Sequence, residues 1–406
     1  MNLPFRETPA RSMNREIPHW TYKEIFEVTL ASGKIGIGET TLFYTFEPTK
    51  NDDLARVLNR NALPLMWDDD LGAGLQMALF DAVARTAEVP VHALLGKQAH
   101  RSTPLSWWNI DTPASDMAAE CKLAYDSGYT AYKTKGRPWF DIRQQLLEST
   151  AVVPEAFKID MDFNATLLDA DRGMEIIREL ERYAQVDIYE SPIPQSDIEG
   201  NRRIRNATRV DIAMHYDVPE PAAVVREGVC DGFVIGGGAS ELMRAGAFSA
   251  EAGLPFWLQV TGSAISAAWS LHFGGVLTHA VWPAVNCHQL FVHPLLTEKI
   301  AVSEGHAKVP DQPGLGFELD RDAVEKFKCE KPLERPEPER LIETTWADGK
   351  KMYIANDGTV NFMIKHAMNE LIPYYEDGAD THLFPDDGTD DWRKLYESAR
   401  AQPVFR

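Results

Sequence analysis

Short apolar or alternating segments recur through the middle of the chain. LSWWNI from Leu105, AYKTK from Ala131, FKIDMDFN from Phe157, VDIYESPI from Val186, VDIAMHYD from Val210, DGFVIGG from Asp231, PFWLQVTG from Pro255 and HAVWPAV from His279 start about 20 to 30 residues apart. Most gaps between them hold helical spacing, as in DMAAECKLAYDSG and ASELMRAGAFSAEAG. Strand and helix alternating at that period predict an α/β fold closed as a (β/α) barrel rather than an open doubly wound sheet. No GxGxxG follows the first strand, and the glycines Gly236 to Gly238 read as a turn rather than a nucleotide loop.

The flanks have other periods. EIFEVTLASGKIGIGET alternates on either side of Ser32-Gly33 as a hairpin does. GLQMALFDAVARTAEVPVHALLG then carries Leu75, Ala78, Leu79, Ala82 and Val83 at helical spacing and ends near Pro90. We therefore expect an α+β capping domain over residues 1–104, a barrel over 105–305, and a C-terminal segment over 306–406 that returns to the cap and continues as an extension. In that extension CEKPLERPEPERL reads as a charged, proline-rich connection. KMYIANDGTVNFMI reads as a second hairpin turning at Asn356, Asp357 and Gly358, and EDGADTHLFPDDGTDDW as an acidic surface loop.

Charge narrows the partners. With 61 acidic and 41 basic residues the formal charge is −20, which repels nucleic-acid phosphates and anionic membranes and sets both aside. A small anionic carboxylate substrate then needs a local cationic pocket. The four cysteines, Cys121, Cys230, Cys287 and Cys329, show no CxxC spacing and read as reduced thiols. No apolar run of about 18 residues and no charged-then-apolar leader is present, so the expected compartment is the cytoplasm. Barrels with caps often assemble, so a homo-oligomer is a candidate partner state.

A barrel's chemistry sits at the C-terminal ends of its strands. In AYKTK, Lys133 and Lys135 fall on one strand face, because side chains alternate with period two. Two ammonium groups that close are costly unless an anion sits beside them or one must act as a base near neutral pH. The next strand ends place Asp160, Asp162 and Asn164 on one face, then Glu190, then His215 and Asp217. Hard oxygen ligands spread over three strands are what Mg²⁺ requires, with Mn²⁺ the alternative. Arg137, just past the lysine pair, is a candidate for a distal substrate carboxylate, with an exposed loop arginine the commoner case. Trp107 and Trp108 are pocket or core residues, and His288 and His293 are candidate proton donors near the last strand, with surface or core histidines the commoner case. His272 and His279 read as structural.

Taken together, the KxK pair, the DxN of DFN, YESPIPQSDIEGNRRIRNAT and GSAISAAWSLHFGG resemble the enolase superfamily, in its mandelate racemase and muconate lactonizing enzyme branch. GIGET, ALFDAVARTAEVPVHALLG and VPDQPGLGFELD resemble that branch's cap and closing segment, so the likeness runs from about Glu24 to Asp320. It implies a (β/α)₇β TIM-like barrel under an α+β cap, one Mg²⁺, and abstraction of the proton α to a carboxylate. Asp162 and Glu190 match the first two metal ligands, and Lys135 matches the base, with Lys133 lowering its proton affinity. Asn164 joins Arg137 as a candidate substrate-binding residue.

The chain departs from that pattern in three places. The third ligand position falls on His215 or Tyr216, with Asp217 a place or two late. Gly236 stands where relatives carry a second lysine. Gln259, Thr261 and Ser263 offer no base on the opposite face. Racemisation and epimerisation need two faces, so the expected reaction is a one-base dehydration of a sugar acid or other hydroxy acid. Cycloisomerisation or epimerisation, or ligand binding without turnover, are the alternatives. Substrate choice is expected to lie in cap segments, FRETPARSMNREIPHW foremost among them.

Overall fold

The first hairpin forms where the alternation puts it. In the computed structural model, which describes residues 1–44 and 47–406, β1 (Lys23–Thr29) pairs antiparallel with β2 (Ile35–Thr41). The helix Ala73–Thr86 lies directly on this hairpin and is buried along most of its length. Glycine permits that approach: a Cβ at Gly36 would stand 2.1 Å from the Ala78 carbonyl oxygen, and one at Gly38 2.1 Å from that of Gly74.

All eight predicted barrel segments yield strands. They are β3 (Ser102–Trp108), β4 (Ala131–Lys135), β5 (Lys158–Asp162), β6 (Val186–Glu190), β7 (Asp211–His215), β8 (Gly232–Ile235), β9 (Phe256–Leu258) and β10 (Ala284–Val285). Neighbours from β3 to β9 pair in parallel. The ring closes because β10 pairs in parallel with β3 while Val285 bridges Gln259, just past β9. The last strand begins at Ala284 rather than near His279, beyond Pro283, which has no N–H to give a ladder.

Carboxylates open the covering helices. Asp141 accepts from the amides of Arg143 (3.0 Å) and Gln144 (2.9 Å), Asp169 from Arg172 (3.0 Å) and Asp197 from Gly200 (2.8 Å). Beneath such a cap the helix Ala170–Leu180 turns Met174, Ile176, Ile177 and Leu180 toward the strands.

After the barrel, β11 (Val302–Ser303) and β12 (His306–Lys308) add antiparallel to β3. The chain then meets the cap, where Asp81 accepts from the Leu315 amide at 2.7 Å and Arg85 pairs with Glu318 at 2.6 Å. A separate antiparallel sheet follows, of β13 (Leu341–Thr345), β14 (Lys351–Ala355), β15 (Asp380–Phe384) and β16 (Val404–Phe405), in the order β15-β13-β14-β16.

Here the expected hairpin at Asn356–Gly358 is wrong. The turn that pairs β13 with β14 lies at Asp348-Gly349, where Gly349 takes the left-handed backbone (φ 88°), whereas Asn356–Asn361 leads into the helix Phe362–Met368. The acidic tail is likewise not all loop: β15 pairs with β13 inside it, and the helix Asp390–Ala401 follows.

This sheet is sealed onto the barrel. Trp139 and Phe140, from the loop after β4, share a core with Ile342, Trp346, Ile354, Phe362 and Met363. Around that core the Thr381 hydroxyl donates to the Trp139 carbonyl (2.6 Å), the Asp141 amide to the Ala379 carbonyl (2.8 Å), and Arg340 to the carbonyls of Arg15 (2.9 Å) and Glu16 (2.7 Å). Cys121, Cys230 and Cys287 are buried thiols, Cys329 is exposed, and none forms a disulfide. Among the described residues no helix is long and apolar enough to cross a membrane.

Trp139 is 1% exposed, and its indole donates to Asp111 at 2.7 Å. Trp139→Ala is expected to cost about 3–5 kcal/mol in urea unfolding, with the loss concentrated in the C-terminal sheet if that unit opens first. A loss under about 1 kcal/mol would mean that the sheet is not held by this core.

Candidate active site

The mouth of the barrel brings the basic strand and the acidic strands into register. Lys133 stands opposite Asp160 and Lys135 opposite Asp162 across β4 and β5, and Asp162 stands opposite Glu190 across β5 and β6. Inward-facing residues of adjacent parallel strands must meet, so two lysines on one strand face two rows of carboxylates. Each lysine acquires its own counter-ion, Lys133 from Glu190 and Lys135 from Asp162. Lys133 Nζ also reaches the Gln259 side-chain oxygen at 3.2 Å and lies 4.8 Å from the Trp257 ring centroid. Lys135 Nζ also donates to Asn164 Oδ1 at 3.1 Å.

The lysines are therefore compensated: the anion that the sequence reading allowed beside the pair is present for each of them. Burial lowers the proton affinity of Lys133, but the charges of Glu190 and Asp162 more than offset this and hold it above the ordinary lysine value. Burial likewise pushes Glu190 up, but Lys133 and His215 overcome it and hold the carboxyl far below the usual range. His215 Nε2 lies 2.9 Å from Glu190 Oε1, and the contact raises the imidazole despite its burial. Asp160, behind the pair, is fully buried and is driven well above the carboxylate range, largely by desolvation.

Glu190, with a depressed folded value, contributes to stability at every pH above the ordinary carboxylate range and loses that contribution on strong acidification. Lys133, with a raised one, contributes below the ordinary lysine value and loses it only at higher pH, so both act fully at neutrality.

One cavity holds Lys133, Lys135, Arg137, Asp162, Asn164, Glu190 and His215. Asp217 lies outside it, exposed, and accepts from the Val218 amide at 2.7 Å. Arg137 is buried rather than a free loop arginine. It donates to the Phe163 carbonyl (2.8 Å) and to Asn164 Oδ1 (2.5 Å), and so fixes the asparagine. The turns beyond the strands are bent at Asn164 (φ 44°) and Ser191 (φ 46°), and the second is a strained conformation beside Glu190.

Trp108 lines the cavity and stacks on Trp20 with ring centroids 5.6 Å apart, whereas Trp107 turns to Glu120 (2.9 Å). His288 is half-buried against the Tyr129 hydroxyl (3.1 Å) and pushed down to about 4 by desolvation, and His293 stands 3.7 Å from Asp320; neither lines the cavity. His272 is buried and accepts from the His92 amide at 3.1 Å.

Other lining residues had no signal in barrel periodicity. Glu16, Ile17 and Trp20 come from the flagged N-terminal segment, Tyr44 from the cap, Asp111 and Trp139 from barrel loops, and Cys287 from just past β10. Val360, Asn361 and Ile364 come from the C-terminal extension. Cys287 is a buried thiol pushed up to about 12, so it is not a thiolate nucleophile. Glu16 and Asp111 are bound to Arg15, at 3.0 and 2.6 Å.

Residues 116–323 match the enolase C-terminal domain-like family. The chain belongs to that family. Among its relatives, the arabinonate dehydratase of Saccharolobus solfataricus is 24% identical over 270 residues, 63% of this chain and 72% of that protein. Muconate cycloisomerase 1 of Rhodococcus opacus is 27% identical over 275 residues, 63% of this chain and 71% of that one. The crystal structure of muconate cycloisomerase from Pseudomonas fluorescens superposes with a TM-score of 0.64 at 20% identity, covering 81% of this chain and 96% of that one, and so shows the shared barrel-and-cap fold.

Membership in the enolase C-terminal domain-like family implies use of a divalent metal ion. Asp162, Glu190 and His215 project from three consecutive strand ends into one cavity. Neither oxygen of the buried Glu190 completes a well-aligned hydrogen bond. Two carboxylates, of which Glu190 keeps unfilled acceptor capacity, and an imidazole fit a divalent cation in donor chemistry. They are not gathered into a ready shell: among the described residues no group of three or more His, Cys, Asp or Glu side chains stands arranged to hold a metal ion. The lysine ammoniums occupy the carboxylates instead.

The buried pair gives a direct stability test. Lys133→Met leaves Glu190 as an uncompensated buried charge and is expected to cost about 3–5 kcal/mol in denaturant unfolding at neutral pH. Adding Glu190→Gln to Lys133→Met should recover part of that loss. Additive losses in the double variant would show that the two groups do not interact.

Proposed function

We propose that the protein is a hydro-lyase that removes the proton α to a carboxylate and expels a β-hydroxyl, converting a small 2,3-dihydroxy acid to a 2-keto acid. The observation that carries this reading is the unequal exposure of the two lysines of β4. The Lys133 side chain is 2% exposed and locked to Glu190, whereas that of Lys135 is 17% exposed and borders the open cavity. Lys135 is thus the lysine able to reach a substrate. When it turns from Asp162 it leaves its counter-ion while Lys133 stays paired with Glu190, and its Nζ is free to meet the substrate.

As a neutral amine, Lys135 Nζ takes the α-proton and the C–H electron pair passes into an enediolate. The C–O bond to the β-hydroxyl then breaks, its oxygen takes the proton back from Lys135 on the same face, water leaves, and the enol tautomerises to the keto acid. One residue serves both transfers of this syn elimination. Asn164 accepts from Lys135 and Arg137 through its amide oxygen, so its NH₂ faces the cavity without a protein partner among the described residues and suits a substrate hydroxyl. Asp162, Glu190 and His215 would hold a divalent ion, Mg²⁺ or Mn²⁺, which when bound would stabilise the charge that develops on the substrate carboxylate.

The dehydratase relative supports elimination. The cycloisomerase relative, at the higher identity, supports the second reading: a cycloisomerase that uses the same α-proton chemistry and yields no keto acid.

A panel of 2,3-dihydroxy acids and sugar acids incubated with Mg²⁺ in D₂O tests the proposal. The expected outcome is appearance of a 2-keto acid, abolished by Lys135→Ala and slowed about 10- to 100-fold by Lys133→Ala. Undiminished exchange of the C2 proton in Lys135→Ala would overturn the assignment of the base.

A further inference from the structure

The cavity has two unlike halves. Its floor, at the strand ends, is ionic. The wall facing that floor is built by segments foreign to the barrel: Ile17 and Trp20 from the N-terminal segment, Tyr44 from the cap, and Val360 and Ile364 from the C-terminal sheet. The matched family segment ends at residue 323, so Val360, Asn361 and Ile364 belong to a part of the chain outside it.

This wall is fixed in place. The loop carrying Val360 and Asn361 leaves β14 and enters the helix Phe362–Met368, whose Phe362 and Met363 share a core with Trp139 and Phe140 of the barrel. Asn361 holds a left-handed backbone (φ 58°), and Val360 beside it is 42% exposed although apolar. The same unit grips the N-terminal segment, because Arg340 donates to the carbonyls of Arg15 and Glu16 immediately before Ile17. Two chain ends therefore meet over the barrel mouth and are joined by hydrogen bonds.

Among the described residues the wall's free polar groups are few, the Trp20 indole N–H, the Tyr44 hydroxyl and the Asn361 amide. Its carboxylates are spoken for, since Arg15 holds both Glu16 and Asp111, and the Trp139 indole donates to Asp111. From the extension the cavity receives two aliphatic side chains and a single amide, Asn361. A polyhydroxylated tail pressed against this surface would lose water from each hydroxyl and regain few hydrogen bonds, while an aliphatic tail would bury area at no such cost.

We propose that the C-terminal sheet is a specificity element and that it selects a hydroxy acid with an apolar body in preference to a fully hydroxylated sugar acid. This rests on the carboxylate-binding floor and the α-proton chemistry already proposed, and narrows the substrate class within it. The head of the substrate, its carboxylate and vicinal hydroxyls, meets the lysines and Asn164. The tail lies along Ile17, Val360 and Ile364.

A paired panel tests the choice: the aldohexonates, and for each its 4,5,6-trideoxy counterpart, a 2,3-dihydroxyhexanoate of the same C2 and C3 configuration. Binding is read by quenching of the tryptophans that line the cavity, and turnover by release of the 2-keto acid. The unaltered protein is expected to bind at least one dihydroxyhexanoate about tenfold or more tightly than its hexonate partner. Val360→Asp, at an exposed loop position, and Ile364→Asn should each weaken the dihydroxyhexanoate about tenfold and leave the hexonate within about threefold.

Equal or tighter binding of the hexonate, equal losses for both acids in the variants, no loss for either, or no binding of any member overturns the proposal. Exchange of the C2 proton in D₂O separates it from the reading on which it rests. Exchange that depends on Lys135, with hexonates preferred, refutes only the specificity element. Preferred binding of dihydroxyhexanoates without exchange refutes only the proton abstraction.

Discussion

The register between β4 and its acidic neighbours is the constraint from which the rest of the site follows. Parallel strands paired in this way must set Lys133 and Lys135 against Asp160, Asp162 and Glu190, since inward-facing residues on adjacent strands have nowhere else to go. Desolvation would make any one of these charges expensive; together they are tolerable because each lysine answers a carboxylate. The arrangement buries Lys133 against Glu190 and leaves Lys135 at the rim, its side chain 17% exposed. A divalent ion held at Asp162 and Glu190 would contend with two ammoniums for the same carboxylate oxygens.

The barrel was legible because each of its strands carries its own apolar signal and most of the gaps between them carry helical spacing. The KTK, DFN and YESP segments could be placed at strand ends for the same reason, and the cavity does gather Lys133, Lys135, Asp162, Asn164, Glu190 and His215. Between His215 and Asp217 the sequence left a choice of third acidic-strand residue. The geometry separates them because β7 ends at His215 and the chain turns Asp217 out to solvent.

What could not be read has physical reasons as well. Arg137 resembles a loop arginine in sequence, and only the fold shows the Phe163 carbonyl and Asn164 that bury it. The Asn-Asp-Gly at 356–358 is a strong hairpin signal by composition, yet β14 already has β13 and β16 on its two edges, so no strand can follow. The strand Asp380–Phe384 is masked by its acidic flanks and becomes visible only through its partner β13. Glu16, Val360 and Ile364 reach the cavity through tertiary docking of both chain ends, which no local pattern encodes.

The central claim, that the lysines occupy the carboxylates a divalent ion would use, is open to one direct measurement: the Mn²⁺ affinity of Lys135→Ala against that of the unaltered protein, by calorimetry at neutral pH. Removing Lys135 takes away both a competitor for Asp162 and a repelling charge, so the variant should bind Mn²⁺ about tenfold more tightly. Equal or weaker binding by the variant would show that the ammonium and the metal do not contend for the same oxygens, and would contradict the account.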